Sequence, residues 1–399
     1  MPIHRHINHN DMRIRNLALI LNHLHQNGPI SRSEISKQLG INKASISTTV
    51  RELINRGIVV EVGHKIGNQE VGHPSIDIMI NPDAGRIIGV NLESDRVRAV
   101  VTDVAPKILW RKEIKFEKGC VLEEKLSFTK KIIDEACEIA RGYSLPLLGL
   151  GLGLPGLVDI ENNKLLAAFE LNWFEYDLDQ LMVGNEDIPF YVGNEGRMSA
   201  LGESYFGDLH KSDLTLYIHW GLETSGGIIV NEDVLPGNLG LAGEVGHVAV
   251  VPDGELCTCG RSGCWNAYIN LNAILQRIEK LATTQDSATT YEGLSLDEFI
   301  HLARSGDLII TEALEETAIW LGIGISNYIN LLNPEYVIIG GPLSVLFDQV
   351  SPFLTQEIET RALPWQRKGC PVIPSIYRED ACLIGVVATV IWNILNNPQ

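Results

Sequence analysis

The sequence predicts an α/β protein in two unequal parts: a winged helix-turn-helix, then a larger body of alternating strands and helices carrying a zinc knuckle. Three observations predict it. The first 75 of 399 residues hold nine Lys/Arg against five Asp/Glu, although the whole chain has a net charge of −18. Helical periodicity, a turn glycine and two short alternating runs follow one another within that basic segment. His247, Cys257, Cys259 and Cys264 then fall within eighteen residues of each other.

The first helix is marked by Ile14, Leu17, Ile20, Leu21 and Leu24 at helical spacing, and Asn27-Gly28-Pro29 ends it. Ser31-Arg32-Ser33-Glu34 forms a capping box that starts a short helix through Leu39. Gly40 makes the turn, and Asn42 caps a third helix from Lys43 to about Arg56. Ile46, Val50, Leu53 and Ile54 form its inward face. Ala44, Ser45, Thr48 and Arg51 form an outward face of small or polar residues that suits base edges and phosphates. Gly57 to Val60 begins a strand, residues 64–68 form a loop, and residues 75–80 alternate as a returning strand.

Helix, helix-turn-helix and hairpin in that order place the third helix in a DNA major groove and the hairpin tip on the flanking backbone or minor groove. The expected DNA contacts are Arg32, Asn42, Lys43, Ala44, Ser45, Thr48 and Arg51 on the helices, with Lys65 and His73 on the wing. A helical bundle for protein contacts is the competing reading. The capping box, turn glycine, polar stripe and local positive charge agree on DNA.

Beyond residue 86, strands at 86–90, 97–101, 147–154, 217–219, 227–230 and 336–339 alternate with helices near 122–141 and 314–332. Glycine-rich turns follow several strands, where ligands gather in such folds. Residues 381–392, the longest apolar run, fall short of the roughly twenty needed to cross a bilayer and read as a buried helix. The polar, His-rich start lacks a signal-peptide core. Seven cysteines, three of them clustered, suit a reducing cytoplasm better than a disulfide framework.

The knuckle His247–Cys257–Cys259–Cys264 supplies one imidazole and three thiols. A Cys₃His set completes a tetrahedral zinc shell with no open position, so the expected cofactor is structural zinc. Gly254, Gly260 and Gly263 permit the tight turns that close-spaced ligands require.

Several motifs together resemble the ROK family (repressors, open reading frames and kinases) over essentially the whole chain. They are Gly151-Leu-Gly-Leu-Pro-Gly-Leu-Val-Asp159, Asn194-Glu195 leading to Ala200-Leu-Gly-Glu203, Gly237 to Gly240 with Ala242-Gly-Glu-Val-Gly-His247, the cysteine knuckle, and Asn333-Pro-Glu with Gly340-Gly341. The resemblance implies a two-lobed, actin- and hexokinase-like body that clasps a sugar. It places the winged helix-turn-helix at 1–80, a smaller lobe at 86–198 and 383–399, and a larger lobe with the zinc site at 199–382. The implied sugar contacts are Gly156, Asn172, Asn194, Glu195, Glu244, His247 and Asn266. Asn266 stands where the family usually has an acidic residue, which changes the hydroxyl pattern it can read. Trp173 and Trp220 are candidate apolar faces for a sugar ring, with core packing the commoner fate of a tryptophan and the favoured one for Trp220.

Kinases of the family carry a D-x-G-G-T-like phosphate turn, and this chain has Asn91-Leu-Glu93-Ser-Asp95. The second phosphate turn is Gly221-Leu222-Glu223. Glu93, Asp95 and Glu223 would then face a triphosphate, and like charges about 4 Å apart cost on the order of 4 kcal/mol at a dielectric near 20. Glu195 replaces the catalytic aspartate, lengthening it by one methylene where positioning supplies most of the rate. The expectation is a cytoplasmic, non-enzymatic, sugar-responsive transcriptional repressor, dimeric on a double-stranded operator, with no catalytic residue. A sugar kinase with a DNA-binding appendage, and a repressor controlled by a protein partner or phosphosugar, are the alternatives.

Overall fold

The structure, a computed structural model, describes residues 9–63, 76–117, 119–169, 171–207, 212–231, 233–286 and 289–396. The head is built from α1 (His9–Asn27), β1 (Ile30–Ser31), α2 (Arg32–Leu39), α3 (Lys43–Asn55), β2 (Val59–Val62) and β3 (Asp77–Ile80). Local chemistry sets its corners. The Ser31 hydroxyl accepts from the Glu34 amide, Gly40 takes the left-handed conformation that ends α2, and Asn42 Oδ1 accepts from the Ser45 amide. β1 adds to the expected hairpin, giving a three-stranded sheet of order β1-β3-β2.

The body begins with β4 (Arg86–Leu92), β5 (Arg96–Thr102), β6 (Ile108–Lys115), α4 (Leu122–Gly142) and β7 (Leu147–Leu154). A three-stranded flap follows, β8 (Leu157–Asp159), β9 (Lys164–Ala168) and β10 (Trp173–Asp177), and then β11 (Phe190–Asn194) and α5 (Glu195–Phe206). Next come β12 (Leu214–Trp220), β13 (Thr224–Val230), β14 (Asp233–Val234), α6 (Asn266–Ile269), α7 (Leu271–Thr284), α8 (Leu296–Ser305) and α9 (Leu308–Leu332). The chain closes with β15 (Tyr336–Gly340), α10 (Phe347–Arg361), α11 (Pro364–Arg367), β16 (Val372–Pro374) and α12 (Ala381–Asn396).

Two five-stranded sheets share one topology, β6-β5-β4-β7-β11 and β14-β13-β12-β15-β16. In each, an antiparallel pair of hairpin connections leads into three parallel strands. Each sheet has its own apolar core, centred on Ile132, Leu152 and Trp173 in the first and on Trp265, Phe299 and Leu321 in the second.

Helices α5 and α12 lie between the sheets and pack on one another through glycines. A Cβ on Gly202 would stand 2.9 Å from the Gly385 nitrogen, and one on Gly385 only 1.8 Å from the Met198 carbonyl. The alternate glycines of β7 serve the same packing. Side chains at Gly149, Gly151 and Gly153 would collide with Val390, Val386 and Cys382 of α12. The glycine-rich run 149–153 is therefore a seat for a helix, whereas Gly156, just beyond it, packs against the Ala167 carbonyl of β9.

A third core joins head to body. Leu17, Ile20, Leu21 and Leu24 of α1 share it with Tyr205 and Phe206 of α5 and with Ile384, Val387 and Ile391 of α12. The apolar C-terminal run is thus buried between head and body. Among the described residues, no helix is long and apolar enough to cross a membrane.

Candidate functional site

The helical DNA-contact candidates sit together at the exposed edge of α3. Asn42, Lys43, Ala44, Thr48 and Arg51 are exposed and Ser45 is half-buried. Two have local duties as well: Asn42 caps the helix, and the Thr48 hydroxyl donates to the Ala44 carbonyl. Arg32 stands apart, paired at 2.6 Å with Glu61 of β2, so it braces the wing against α2. Lys65 and His73 lie outside the described residues.

The sugar candidates gather where β11, β13 and the loop before the knuckle meet. Asn194 ends β11 and caps α5, accepting from the Gly196 and Arg197 amides, and its Nδ2 donates to the Gly156 carbonyl at 2.9 Å. Gly156 is required there: its φ is +99°, and a Cβ would lie 2.2 Å from the Ala167 carbonyl. Glu195 opens α5 and is buried beside His219, Oε1 to Nε2 3.6 Å. Burial and the nearby Glu93 and Glu223 carboxylates push its pKa well above the ordinary range. Gly226 and Gly227 keep β13 bare, so that Val245 packs on one glycine and Ala200 of α5 on the other.

Glu244 is half-buried and burial raises its pKa, with His247 drawing it partly back. Asn172 occupies the exposed turn between β9 and β10 in a left-handed conformation, φ +48°. Asn266 is buried and spends its Oδ1 on the Thr224 amide at 2.8 Å, so its carbonyl anchors the start of β13. Trp173 and Trp220 are core residues, 2% and 0% exposed, and neither offers a face to a ligand. Trp173 belongs to the core of the first sheet, and Trp220 donates its indole N–H to the Ile269 carbonyl at 2.7 Å. The aromatic that reaches the site is Phe169, edge-on to the His247 ring at 6.1 Å and to Phe174 at 6.2 Å. It sets the flap against the knuckle, and no motif in the sequence singled it out.

His247, Cys257, Cys259 and Cys264 place one ligand atom each within 4.8 Å of one another. His247 Nδ1 lies 3.7 Å from Cys257 Sγ, and Cys259 and Cys264 sulfurs are 3.7 Å apart. Zinc–sulfur bonds of about 2.3 Å at tetrahedral angles separate sulfurs by about 3.8 Å, so the donor set and its spacing fit that ion. The thiols also compete without a cation. Burial opposes ionisation of Cys257, yet its hydrogen bond with His247 brings it down to about 6, whereas burial and Cys259 push Cys264 up to about 12.

On the other side of Glu195, the residues expected at the phosphate turns form a plug. Glu93 accepts from Arg98 Nε and from Asn91 Nδ2, both at 2.8 Å. Arg98 continues to the Glu379 carbonyl at 2.8 Å and Asp380 at 3.3 Å. One correction follows. Asp95 turns away to Arg96, at 2.8 Å, and the third carboxylate beside Glu93 and Glu223 is Glu195. These three and His219 surround a cavity just large enough for a water molecule.

Comparison with known proteins agrees with this architecture. Residues 87–392 match the model of the ROK family, and residues 17–60 match that of a winged helix-turn-helix DNA-binding domain. The chain is 30% identical to the xylose repressor of Caldicellulosiruptor bescii, over 98% of this chain and 99% of that protein. It is 28% identical to the transcriptional dual regulator NagC of Escherichia coli, over 96% and 93%. A ROK family transcriptional regulator, described as a homolog of the E. coli MLC protein, superimposes with a TM-score of 0.77 at 24% identity, covering 96% of this chain and 98% of that one. A ROK glucokinase from Streptomyces griseus, solved with glucose and AMPPNP, covers 76% of this chain and 99% of its own with a TM-score of 0.68 at 26% identity.

Proposed function

The chain belongs to the ROK family, and from that premise we propose that it is a sugar-responsive, DNA-binding repressor of a carbohydrate-utilisation operon whose kinase-like body senses a sugar instead of phosphorylating it. The observation that carries the reading is the pairing of a winged head with a body whose nucleotide side is filled by the Glu93–Arg98 pair. The xylose repressor, and an Escherichia coli relative 28% identical that is named N-acetylglucosamine repressor, support a sugar as effector.

In this reading Asn194, Glu195, Glu244 and His247 hold the sugar's hydroxyls, Gly156 and Asn172 shape the entrance, and Asn266 and Phe169 fix the walls. Zinc bound by His247, Cys257, Cys259 and Cys264 supplies rigidity to the loop that carries Glu244. The protein works in the cytoplasm as a dimer, so that two α3 helices meet two operator half-sites. Sugar binding at the start of α5 is passed along a helix about 18 Å long to Tyr205 and Phe206, which pack on α1 of the head. For the sugar to release DNA, it must bind more tightly to the conformation that DNA does not accept.

A mobility-shift assay on DNA upstream of its own gene, with and without xylose or N-acetylglucosamine, tests the reading. No specific shift at moderate salt would end it. A kinase bearing a DNA-binding appendage is the second reading, and ATP turnover with either sugar would restore it.

A further inference from the structure

Helix α5 carries a cation at the end where a helix least favours one. Arg197 lies in its first turn, after the Asn194 cap and Glu195, where the free backbone amides already present positive charge. The side chain is half-buried, and that burial pulls its pKa down. Among the described residues no carboxylate pairs with it: Glu195, two positions earlier, has Glu93, Glu223 and Arg98 as its charged neighbours instead. Arginine is seldom buried without an acidic partner. What Arg197 holds is main chain, its Nη1 donating to the Leu235 carbonyl at 3.2 Å and to the Gly240 carbonyl at 3.3 Å.

Those two carbonyls bracket an arch in the loop that runs from β14 to Glu244. The loop is fixed to β13 at both ends. The Leu235 amide donates to the Ile228 carbonyl at 2.7 Å, and a Cβ on Gly243 would stand 2.4 Å from the Gly226 carbonyl. Between these ends the backbone is left-handed at Gly237, Leu239 and Gly240, with φ of +66°, +57° and +78°. A leucine stays in that region only where its surroundings impose it. Leu239 is 59% exposed, so its own side chain does not hold it there. The arch also meets the flap, since a Cβ on Gly240 would lie 3.3 Å from Ile160.

We infer that Arg197 is a positioning residue for the effector: its guanidinium fastens the 235–240 arch to α5, so that Glu244 on the loop and Glu195 on the helix keep one geometry. The chain retains a half-buried cation for this at the expense of stability. The inference rests on the sugar-effector reading above and adds the residue that ties its two carboxylates together.

Arg197→Met in the full chain tests it, because methionine removes the charge and the donors while leaving an unbranched apolar chain. Calorimetric titration with xylose and with N-acetylglucosamine should show the productive sugar bound at least about tenfold more weakly, the factor that one charge-assisted hydrogen bond is worth. Operator affinity without sugar should stay at the native value. The urea midpoint should hold or rise, since an unpaired charge is no longer buried, whereas loss of a merely structural residue would lower it. Arg197→Lys, which keeps the charge and reaches one carbonyl at a time, should recover part of the sugar affinity. Hydrogen exchange of the 235–244 amides should quicken in Arg197→Met while that of β12 and β13 does not. Native sugar affinity in Arg197→Met overturns the inference, as does weakened binding with a lowered urea midpoint and no recovery in Arg197→Lys. If the native chain binds neither sugar, the effector reading fails, and hydrogen exchange then judges the clamp by itself. Faster exchange confined to residues 235–244 supports it, and unchanged exchange refutes it.

Discussion

The rings of His25 and Phe206 meet edge to face, 4.7 Å between centroids and 64° between planes. His25 belongs to the last turn of α1 in the head, and Phe206 is the final residue of α5, whose first residue is Glu195. One helix therefore has the candidate sugar site at its N-terminus and the DNA-binding head at its C-terminus. Tyr377 reinforces the far end by donating its hydroxyl to the Phe206 carbonyl.

Phe206→Ala should leave the operator affinity of the free protein largely intact while weakening sugar-induced release. Removing a buried phenylalanine side chain costs about 3–5 kcal/mol, so Phe206→Leu, which keeps most of the volume, serves as the milder variant. Fluorescence anisotropy of labelled operator during sugar titration reads both quantities. Unaltered sugar response in both variants would remove α5 as the connection.

Cys259→Ser should lose the metal and with it part of the sugar response. A hydroxyl replaces one of three sulfur ligands, and Gly260, at φ +81°, shows how tightly the loop is turned around them. Plasma mass spectrometry reads zinc per chain. A zinc-free variant with native sugar sensitivity would show that the knuckle does not shape the cleft.

The His247, Cys257, Cys259 and Cys264 cluster, the α2 and α3 caps and the two-part charge pattern were legible because each is local: a few residues fix the chemistry. The Glu93–Arg98 plug was half legible. Glu93 is visible in the sequence, but its partner Arg98 follows from the β4–β5 ladder, which sets Asn91 opposite Arg98. Trp220 is a core residue, as the commoner fate of an indole predicts, whereas Trp173 was open between core and sugar face because an indole packs either, and the surrounding fold decides. The seat of α12 on Gly149, Gly151 and Gly153 brings together residues more than 200 positions apart, beyond any local signal.

Breaking the plug should be costly. Glu93 and Arg98 are 7% and 6% exposed, and removing one partner of such a pair leaves a buried charge at a cost of about 3–5 kcal/mol. Arg98→Ala should show that loss in urea denaturation. Glu93→Gln/Arg98→Met, which removes both charges, should recover most of it. An Arg98→Ala variant as stable as the native chain would mean that water or another cation reaches Glu93.

His219 gives the stability a pH dependence. Burial holds its pKa in the folded protein down to about 3, against the 6.5 of an ordinary histidine. Between those limits the unfolded chain takes up a proton that the native state refuses, so stability falls on acidification by roughly 1.4 kcal/mol per pH unit. Glu195 acts oppositely, since its raised pKa lets the native state gain a proton first. Between pH 7 and 5 the native chain should lose about 2 kcal/mol more than His219→Gln, counting the interval below 6.5. Equal losses in urea denaturation at the two pH values would show that His219 is protonated in place.

The α5–α12 contact yields a paired test of packing against propensity. Gly385 and Gly142 both lie in helices, where alanine is intrinsically favoured by about 1 kcal/mol. A Cβ at Gly142 meets nothing within 4 Å, so Gly142→Ala should be neutral or slightly stabilising. A Cβ at Gly385 would fall 1.8 Å from the Met198 carbonyl, a backbone atom that cannot rotate away. Gly385→Ala must therefore push α12 off α5, at a cost of about 1–3 kcal/mol. Because α12 shares the core that holds α1, the same displacement should alter operator affinity without touching α3. A Gly385→Ala protein with native stability and native operator affinity would show that the two helices slide freely, and the rigid connection from sugar site to head would have no basis.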